Sequence, residues 1–218
     1  MTQSTKGLII CGTDTDVGKT IVSALIVQGL KAKYWKPIQS GLEEGGDTGR
    51  LSKILNLPSK QLIPEAYKFK APVSPHWASE KEDIHINPKK LLLPRGEDFL
   101  VLETAGGLMV PISRKLLQIE QIKTWKLPVV LVARSGLGTL NHTLLSIEAL
   151  NKRNIPILGI FLNGPMHLDN PKTLEQFGKV PLIGQLPILP AVTKTALKQE
   201  WDKQNLRSTF IELLEQLK

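Results

Sequence analysis

The chain has 218 residues, of which 41% are hydrophobic and 22% are charged. These values are typical of a globular protein and exclude a disordered or collagen-like chain, and the length suits one domain over residues 1–218. The formal net charge of +8 comes from scattered lysines and arginines with few aromatic residues between them. Nucleic-acid binding surfaces usually combine basic and aromatic residues in one patch, so we expect a solvated basic surface and no nucleic-acid partner.

Apolar runs that predict strands alternate along the chain with segments of helical spacing. An apolar run over residues 7–11 is followed by helical spacing over 19–30. Such alternation predicts an α/β fold with a mostly parallel central sheet and helices on both faces, with ligands at the carboxyl edge. The further predicted strands are residues 34–38, 99–103, 128–133, 156–162 and 181–185, and the further predicted helices are 116–125, 141–152, 170–177 and 206–217.

Residues 58–95 differ from the rest of the chain because they contain six of its fifteen prolines. Proline removes a backbone donor and interrupts both helices and sheets. This segment is therefore predicted to form loops and short helices inserted before the strand at 99–103. It is too short to form a domain of its own.

The apolar runs are shorter than the roughly 20 residues that a membrane-spanning helix requires. The N-terminal segment lacks the basic region and the long apolar region of a signal peptide. One cysteine, Cys11, leaves no intramolecular disulfide and is predicted to be a small buried residue of the first strand. We therefore expect a cytoplasmic protein without a membrane partner.

A glycine-rich turn lies between the first strand and the first helix, which is the setting of a phosphate-binding loop. Backbone N–H groups at such a helix start are unpaired and bind phosphate, the lysine adds positive charge, and the threonine hydroxyl ligates Mg²⁺. A turn that merely caps a helix would not explain the lysine and threonine at the helix start. The residues predicted to bind ATP here are Gly12, Thr13, Asp14, Asp16, Val17, Gly18, Lys19 and Thr20.

Polar residues at the ends of two predicted strands extend this site. Glu103 follows four apolar residues, which is typical of a metal ligand at a strand end. Lys36 lies towards the end of the second predicted strand, directly before Pro37, where it either reaches solvent or neutralises an anionic ligand. Asp47 precedes a helical stretch, which suits the N-cap of a helix. Thr20 and Glu103 are the predicted metal ligands.

Five segments together resemble the dethiobiotin synthetase family of P-loop enzymes. The resemblance covers most of residues 7–190, and the residues beyond about 190 carry no diagnostic pattern. The five segments are GTDTDVGKT at 12–20, YWKPIQSG at 34–41, APVSPH at 71–76, ETAGG at 103–107 and GTLNH at 138–142.

The resemblance implies a reaction of biotin biosynthesis. One amine of 7,8-diaminononanoate takes up CO₂ as a carbamate, the γ-phosphoryl group of ATP activates the carbamate, and the second amine closes a cyclic urea. The cofactor implied is Mg²⁺, with ATP as co-substrate. The resemblance makes Asp47 a third ligand of the metal beside Thr20 and Glu103, although its role as a helix N-cap stays open. The resemblance also implies a homodimer in which the neighbouring subunit completes the substrate site.

The same resemblance assigns roles to individual residues. Lys36 and Ser40 would contact the carbamate, and Thr15 would join them and Lys19 as a catalytic residue. Thr15, Asp16, Lys36, Ser40 and Gly106 would bind the substrate from one subunit. The implied substrate contacts from the neighbouring subunit are Gly138, Thr139 and Asn141, and the implied contacts to adenine are Asn163, Gly184 and Pro187.

Plain structural roles remain open for several of these residues. Thr139 or Asn141 would serve equally as a helix cap, and Asn163 precedes a glycine and a proline that suit a turn. Two positions also depart from the family pattern. Asp16 stands where glutamate is frequent, and Thr104 stands where glycine is usual, so we expect Thr104 to narrow the site.

Two rival functions share this scaffold. An amidotransferase-type cobyrinate synthase would require a glutamine-hydrolysing domain with a nucleophilic cysteine, for which the chain has no room. A partitioning or positioning ATPase would carry an additional lysine early in the loop, whereas residues 13–16 are acidic. The acidic loop favours a cationic substrate over a nucleotide switch.

Overall fold

A sheet of seven parallel strands forms the centre of the computed structural model, which describes residues 5–217. The described strands, in chain order, are β1 (Gly7–Gly12), β2 (Lys33–Trp35), β3 (Ile38–Ser40), β4 (Leu62–Ile63), β5 (Tyr67–Phe69), β6 (Leu100–Gly107), β7 (Pro111–Ser113), β8 (Leu116–Leu117), β9 (Val129–Arg134), β10 (Ile157–Asn163) and β11 (Leu182–Leu186). Across the central sheet the order is β11-β10-β9-β1-β6-β2-β4. Because β1 lies in the middle, the loop that follows it opens at the centre of the carboxyl edge.

Helices cover both faces of this sheet, as the sequence predicts. The described helices are α1 (Lys19–Leu30), α2 (Gly46–Leu55), α3 (Pro75–Lys81), α4 (Gln118–Trp125), α5 (Thr139–Asn151), α6 (Asn170–Gly178), α7 (Lys194–Lys203) and α8 (Leu206–Gln216). Leu8 and Ile10 of β1 belong to one apolar cluster with α1, α2, α7 and α8. Ile9 and Cys11 belong to a second cluster with α3, α4, α5 and α6. Successive side chains of a strand point to opposite faces, so one strand supplies both cores.

The predicted strand over residues 34–38 is wrong in its second half. The strand β2 ends at Trp35, and β3 leaves the central sheet to pair with β5. The cause lies at Pro37, which has no N–H to donate to a strand partner. Its carbonyl oxygen instead accepts hydrogen bonds from the N–H groups of Ala66 and Tyr67, at 2.9 and 3.1 Å. Lys36 therefore sits in a bend between two sheets.

The proline-rich segment 58–95 contributes more to the sheet than the sequence indicates. Its strand β4 pairs with β2 at the sheet edge, and its helix α3 covers part of one face. The helix predicted over residues 116–125 begins two residues later, because β8 pairs with β7 in an antiparallel ribbon. The helix α7 was not predicted, because only Leu197 and Trp201 of its ten residues are buried.

Among residues 5–217, no helix combines the length and apolar character needed to cross a membrane. The expectation that the N-terminus lacks a signal peptide rests partly on residues 1–4, which lie outside the described part of the chain.

Candidate functional site

The loop that joins β1 to α1 is held by close packing around one glycine. Gly18 has φ +95, and a Cβ atom there would lie 2.1 Å from the Nδ2 atom of Asn163. That same Nδ2 atom donates a hydrogen bond to the carbonyl oxygen of Val17 at 3.1 Å. No side chain caps the start of α1. The first N–H groups of a helix lack partners within it, so the loop presents an anion-binding helix start.

Lys19 is the positive charge of this loop. Its relative exposure is only 7%. Its Nζ atom donates a hydrogen bond to the carbonyl oxygen of Asp14 at 2.8 Å. Burial lowers the pKa of Lys19, while the negative charge of Glu103 acts in the opposite direction. A buried ammonium group with an incomplete set of partners favours an anion such as phosphate.

Glu103 is the most enclosed acidic residue of the site, with no exposed surface. Its Oε1 atom accepts from the Thr20 hydroxyl at 2.9 Å and from the Lys36 ammonium at 3.1 Å. Its Oε2 atom accepts from the Ser23 hydroxyl at 2.8 Å and from the Tyr34 hydroxyl at 2.9 Å. The four donors satisfy a charge that would otherwise be very costly to bury.

Lys36 and Asp47 form an ion pair beside Glu103. The Lys36 ammonium is bonded to the carboxylate of Asp47, and both groups are largely buried. Burial acts to lower the pKa of Lys36, but the charges of Glu103 and Asp47 outweigh it and raise the pKa. Burial acts to raise the pKa of Asp47, but the charge of Lys36 outweighs it and lowers the pKa. Both residues are therefore charged near neutral pH.

Three oxygen atoms converge at this point in a way that suits a divalent cation. The Oγ1 atom of Thr20 lies 2.8 Å from Oδ1 of Asp47 and 2.9 Å from Oε1 of Glu103. One hydroxyl proton cannot be donated to both carboxylates, whereas a cation would satisfy all three oxygens. In residues 5–217, no set of three His, Cys, Asp or Glu forms a metal cluster. Mg²⁺ commonly takes one or two carboxylates and completes its shell with phosphate and water.

A cavity of about 770 Å³ brings most of the predicted residues together. Its floor is the start of α1, and its walls come from the ends of β2, β3, β6 and β10. The hydroxyl oxygen of Ser40 is buried and has no hydrogen-bond partner among the described residues, which suits a ligand contact. The predicted residues that line the cavity are Thr15, Asp16, Gly18, Lys19, Thr20, Lys36, Ser40, Asp47, Glu103, Gly106 and Asn163.

Four of the predicted loop residues do not line this cavity. Gly12 is buried at the end of β1, and a Cβ there would lie 3.0 Å from the Lys19 Nζ atom. Val17 is also buried. Thr13 and Asp14 line a separate hollow of about 410 Å³, between β6 and α5. These residues therefore shape the loop without lining the large cavity.

The predicted substrate contacts at the start of α5 lie outside the large cavity. Neither Thr139 nor Asn141 caps the helix, because Gly138 occupies the cap position and no side chain bonds to the first turn. The Thr139 hydroxyl instead lies 3.3 Å from the hydroxyl of Thr143, and Asn141 is exposed. The alternative role of these two residues as helix caps is wrong.

The residues predicted to contact adenine divide between two locations. Asn163 ends β10, lines the large cavity and is bonded to the loop. Gly184 lies inside β11, where a Cβ would meet Gln204 and Leu206 on the side of α7 and α8. Pro187 follows the end of β11 and does not line the cavity. The structure thus places only Asn163 beside the loop.

Two further expectations, for Thr104 and Asp47, are wrong. Thr104 does not narrow the cavity, because its buried hydroxyl donates to the carbonyl oxygen of Ile10 at 3.2 Å. Asp47 is not the cap of α2, because Gly45 precedes the helix in that position. The N–H of Asp47 is bound by the Oε1 atom of Gln39 at 3.0 Å.

Sequence reasoning missed four residues of the site. Tyr34 and Ser23 bind Glu103, Gln39 fixes the start of α2, and Arg50 lines the cavity. Burial raises the pKa of Tyr34 well above its ordinary range, so its hydroxyl remains a donor. Ser23 could have been found, because it lies three residues after Thr20 on the same face of α1.

The comparisons with known proteins agree with the motifs. A model of the AAA domain matches residues 6–196. The chain is 44% identical over 194 residues to the ATP-dependent dethiobiotin synthetase BioD of Rhodopseudomonas palustris strain HaA2, covering 89% of this chain and 91% of that protein. The chain belongs to the dethiobiotin synthetase family. It is also 46% identical over 200 residues to the biotin biosynthesis bifunctional protein BioCD of Bordetella avium strain 197N, covering 91% of this chain and 43% of that longer protein.

The fold of this chain also occurs in solved structures of proteins with other names. The septum site-determining protein MinD from Pyrococcus horikoshii, complexed with Mg-ADP, matches with a TM-score of 0.58 and 17% identity, covering 98% of this chain and 96% of that chain. At this identity the likeness concerns the fold alone. It confirms the predicted P-loop architecture and leaves the positioning-ATPase alternative without support from sequence.

Proposed function

We propose that the chain catalyses the ATP- and Mg²⁺-dependent closure of 7,8-diaminononanoate and CO₂ to dethiobiotin, with release of ADP and phosphate. The observation that carries this proposal is the meeting of two buried lysines and two carboxylates in one cavity behind a phosphate-binding loop. Lys19 suits the phosphates of ATP, and Lys36 suits a second anion a short distance away. A carbamate is such an anion.

Thr20, Asp47 and Glu103 would hold Mg²⁺ together with phosphate oxygens, and the ion would neutralise charge on the β- and γ-phosphoryl groups. Lys19 and the N–H groups at the start of α1 would bind the same phosphates. The Thr20 hydroxyl oxygen lies 2.8 Å from Oδ1 of Asp47 and 2.9 Å from Oε1 of Glu103. These three oxygens would fix the cation at the edge of the cavity, between the loop and Lys36.

The substrate side of the cavity would bind the carbamate and the amines. Lys36 would hold the carbamate oxygens, and the unpaired hydroxyl of Ser40 would donate to them. Asp16 is exposed at the cavity wall, where its negative charge attracts an ammonium group. Thr15 lines the cavity beside it and lies within reach of the same substrate end.

The reaction requires little covalent help from these residues. A carbamate oxygen attacks the γ-phosphorus, and the bond to ADP breaks. The second amine then attacks the carbamate carbon, a C–N bond forms, and the C–O bond to phosphate breaks with loss of a proton. Holding the two ends of the diamine and the γ-phosphoryl group in one geometry accelerates both steps, because the reacting groups no longer have to meet by diffusion.

We also propose a homodimer in the cytosol, in which the start of α5 from one subunit reaches the substrate of the other. The hollow that Thr13 and Asp14 line also borders α5, so the phosphate-binding loop and α5 are neighbours. Large apolar side chains are exposed on this face, at Leu137, Met109 and Leu145. An exposed apolar patch of this kind is typical of a protein interface.

The decisive experiment measures ATP turnover by the purified protein with Mg²⁺ and bicarbonate, in the presence and absence of 7,8-diaminononanoate. We expect phosphate release that depends on the diamine and equals the cyclic urea detected by mass. A monoamine of the same length serves as the control, because it can form a carbamate but cannot close the ring. Nucleotide binding without diamine-dependent urea formation would contradict the proposal and favour a nucleotide switch.

A further inference from the structure

The carboxylate of Glu103 is held unequally at its two oxygen atoms. The Oε1 atom faces Thr20 and Lys36, which both line the large cavity. The Oε2 atom faces Ser23 and Tyr34, neither of which lines that cavity. One oxygen is therefore presented to ligands, and the other is bound by the protein interior.

Ser23 and Tyr34 come from different elements and are both fully buried. Ser23 lies on α1, and Tyr34 lies on β2, so their hydroxyl groups approach Oε2 from two directions at 2.8 and 2.9 Å. Tyr34 otherwise belongs to the apolar cluster beneath α1 and α2. Two donors of fixed position prevent the carboxylate from rotating about its Cγ–Cδ bond.

We propose that Tyr34 and Ser23 are positioning residues that hold Glu103 so that Oε1 alone is offered to the divalent cation of the nucleotide complex. This inference rests on the proposed function only in so far as that function requires a cation at Glu103. Mg²⁺ demands a near-octahedral shell at short distances, and a rotating carboxylate would offer two oxygens in a poor geometry. Hydrogen bonds behind a metal ligand typically change metal affinity by about 10–100-fold.

The test measures Mn²⁺ binding by electron paramagnetic resonance, with a non-hydrolysable ATP analogue, in the full-length protein. Mn²⁺ replaces Mg²⁺ in oxygen sites. Its sharp signal in solution comes from the free ion, so the loss of this signal measures the bound fraction. We expect Tyr34→Phe to weaken Mn²⁺ affinity about 10-fold and the double variant Tyr34→Phe/Ser23→Ala to weaken it up to about 100-fold.

Tyr67→Phe is the matched control, because the chain has two tyrosines and both are buried. The Tyr67 hydroxyl accepts from the N–H of Asn87 at 2.8 Å, away from Glu103. Tyr67→Phe should leave Mn²⁺ affinity within twofold of the wild-type value. Nucleotide affinity in EDTA should also stay within twofold for each variant, which a general loss of structure would not allow.

Three results would overturn the inference. The first is wild-type Mn²⁺ affinity in Tyr34→Phe, and the second is an equal loss of nucleotide affinity with and without metal. The third is wild-type protein that binds the nucleotide analogue but takes up no Mn²⁺ together with it. Failure of the proposed function is a separate outcome, because the wild type would then bind Mn²⁺ with nucleotide and yet form no cyclic urea.

Discussion

Replacing Lys36 by methionine isolates the charge of the ammonium group at nearly constant volume. The relative exposure of Lys36 is 4%, and its Nζ atom is bonded to both Asp47 and Glu103. Removing one partner of a buried ion pair leaves its counter-charges uncompensated, at a cost of about 3–5 kcal/mol. For a chain of this length each kcal/mol lowers the melting temperature by about 2–4 °C, so we expect a drop of about 6–20 °C in EDTA.

The informative comparison is the response of Lys36→Met to Mg²⁺ in thermal unfolding followed by circular dichroism. A cation that occupies the three-oxygen site takes over the neutralising role of the ammonium group in the variant. At 100 times its dissociation constant it should add about 2.7 kcal/mol. In the wild type the Lys36 ammonium group already neutralises these carboxylates. Mg²⁺ alone should therefore stabilise the wild type less than the variant.

The matched control is Lys33→Met, at the start of β2 and three residues before Lys36. Lys33 pairs with Asp98 at 2.8 Å, but the two side chains are 36% and 64% exposed. An exposed ion pair contributes at most about 1 kcal/mol, so this variant should melt close to the wild type. The reasoning is refuted if the Lys36 and Lys33 variants are equally stable in EDTA, or if Mg²⁺ stabilises the wild type more than Lys36→Met.

The ion pair of Lys36 with Asp47 makes the stability difference between the wild type and Lys36→Met depend on pH. The pKa of Asp47 is lowered from its ordinary 3.8, so its contribution is complete above that pH and lost as the pH falls through the lower folded value. The pKa of Lys36 is raised from its ordinary 10.5, so its contribution is complete below that pH and lost as the pH rises through the higher folded value. The gap between wild type and Lys36→Met should be widest between these limits.

Three further outcomes are expected from single positions. Gly18→Ala should abolish nucleotide binding in a calorimetric titration, because its Cβ would overlap Asn163, whereas Gly136→Ala, which has open space around it, should bind normally. Cys11 should resist iodoacetamide at pH 8 until the protein is unfolded, because burial raises its pKa to about 12, and rapid labelling detected by mass would contradict this. Thr104→Gly should destabilise the strand by about 1 kcal/mol and leave the KM for the diamine within twofold, since Thr104 points away from the cavity.

Strand alternation explains which parts of the site were predictable. The registers Tyr34 with Val101 and Trp35 with Leu102 put β2 directly beside β6. Glu103 is two residues after Val101 and therefore points to the same face as Tyr34, while Thr104 points to the other. The prediction that Glu103 ends a strand is wrong, because β6 continues to Gly107. The contact of Glu103 with Tyr34 depends on which strands are neighbours. That neighbour relation is a tertiary property, so the sequence did not reveal it.

The elements that were missed have few apolar contacts of their own. The strand β4 has two residues and one partner, and it lies within the proline-rich segment, which has no strand-like pattern. The helix α7 buries only Leu197 and Trp201, which are four residues apart on an otherwise polar helix. A Cβ at Gly29 would lie 2.2 Å from the Trp201 ring, so α7 is placed by close packing against α1. A single close contact of this kind leaves no periodic pattern in the sequence.

The charges around the large cavity bear on two proposed properties of the site, its use of a cation with the nucleotide and its cationic substrate. The charged side chains that line it are the basic Lys19, Lys36 and Arg50 and the acidic Asp16, Glu43, Asp47 and Glu103, which gives a formal charge of −1. A nucleoside triphosphate brings several more negative charges into this cavity, so Coulomb repulsion opposes its binding without a divalent cation. A diammonium substrate is instead attracted by the negative charge of the acidic part of the loop. The cavity thus favours a metal-bound nucleotide together with a cationic partner, and a nucleotide switch would have no use for the second preference.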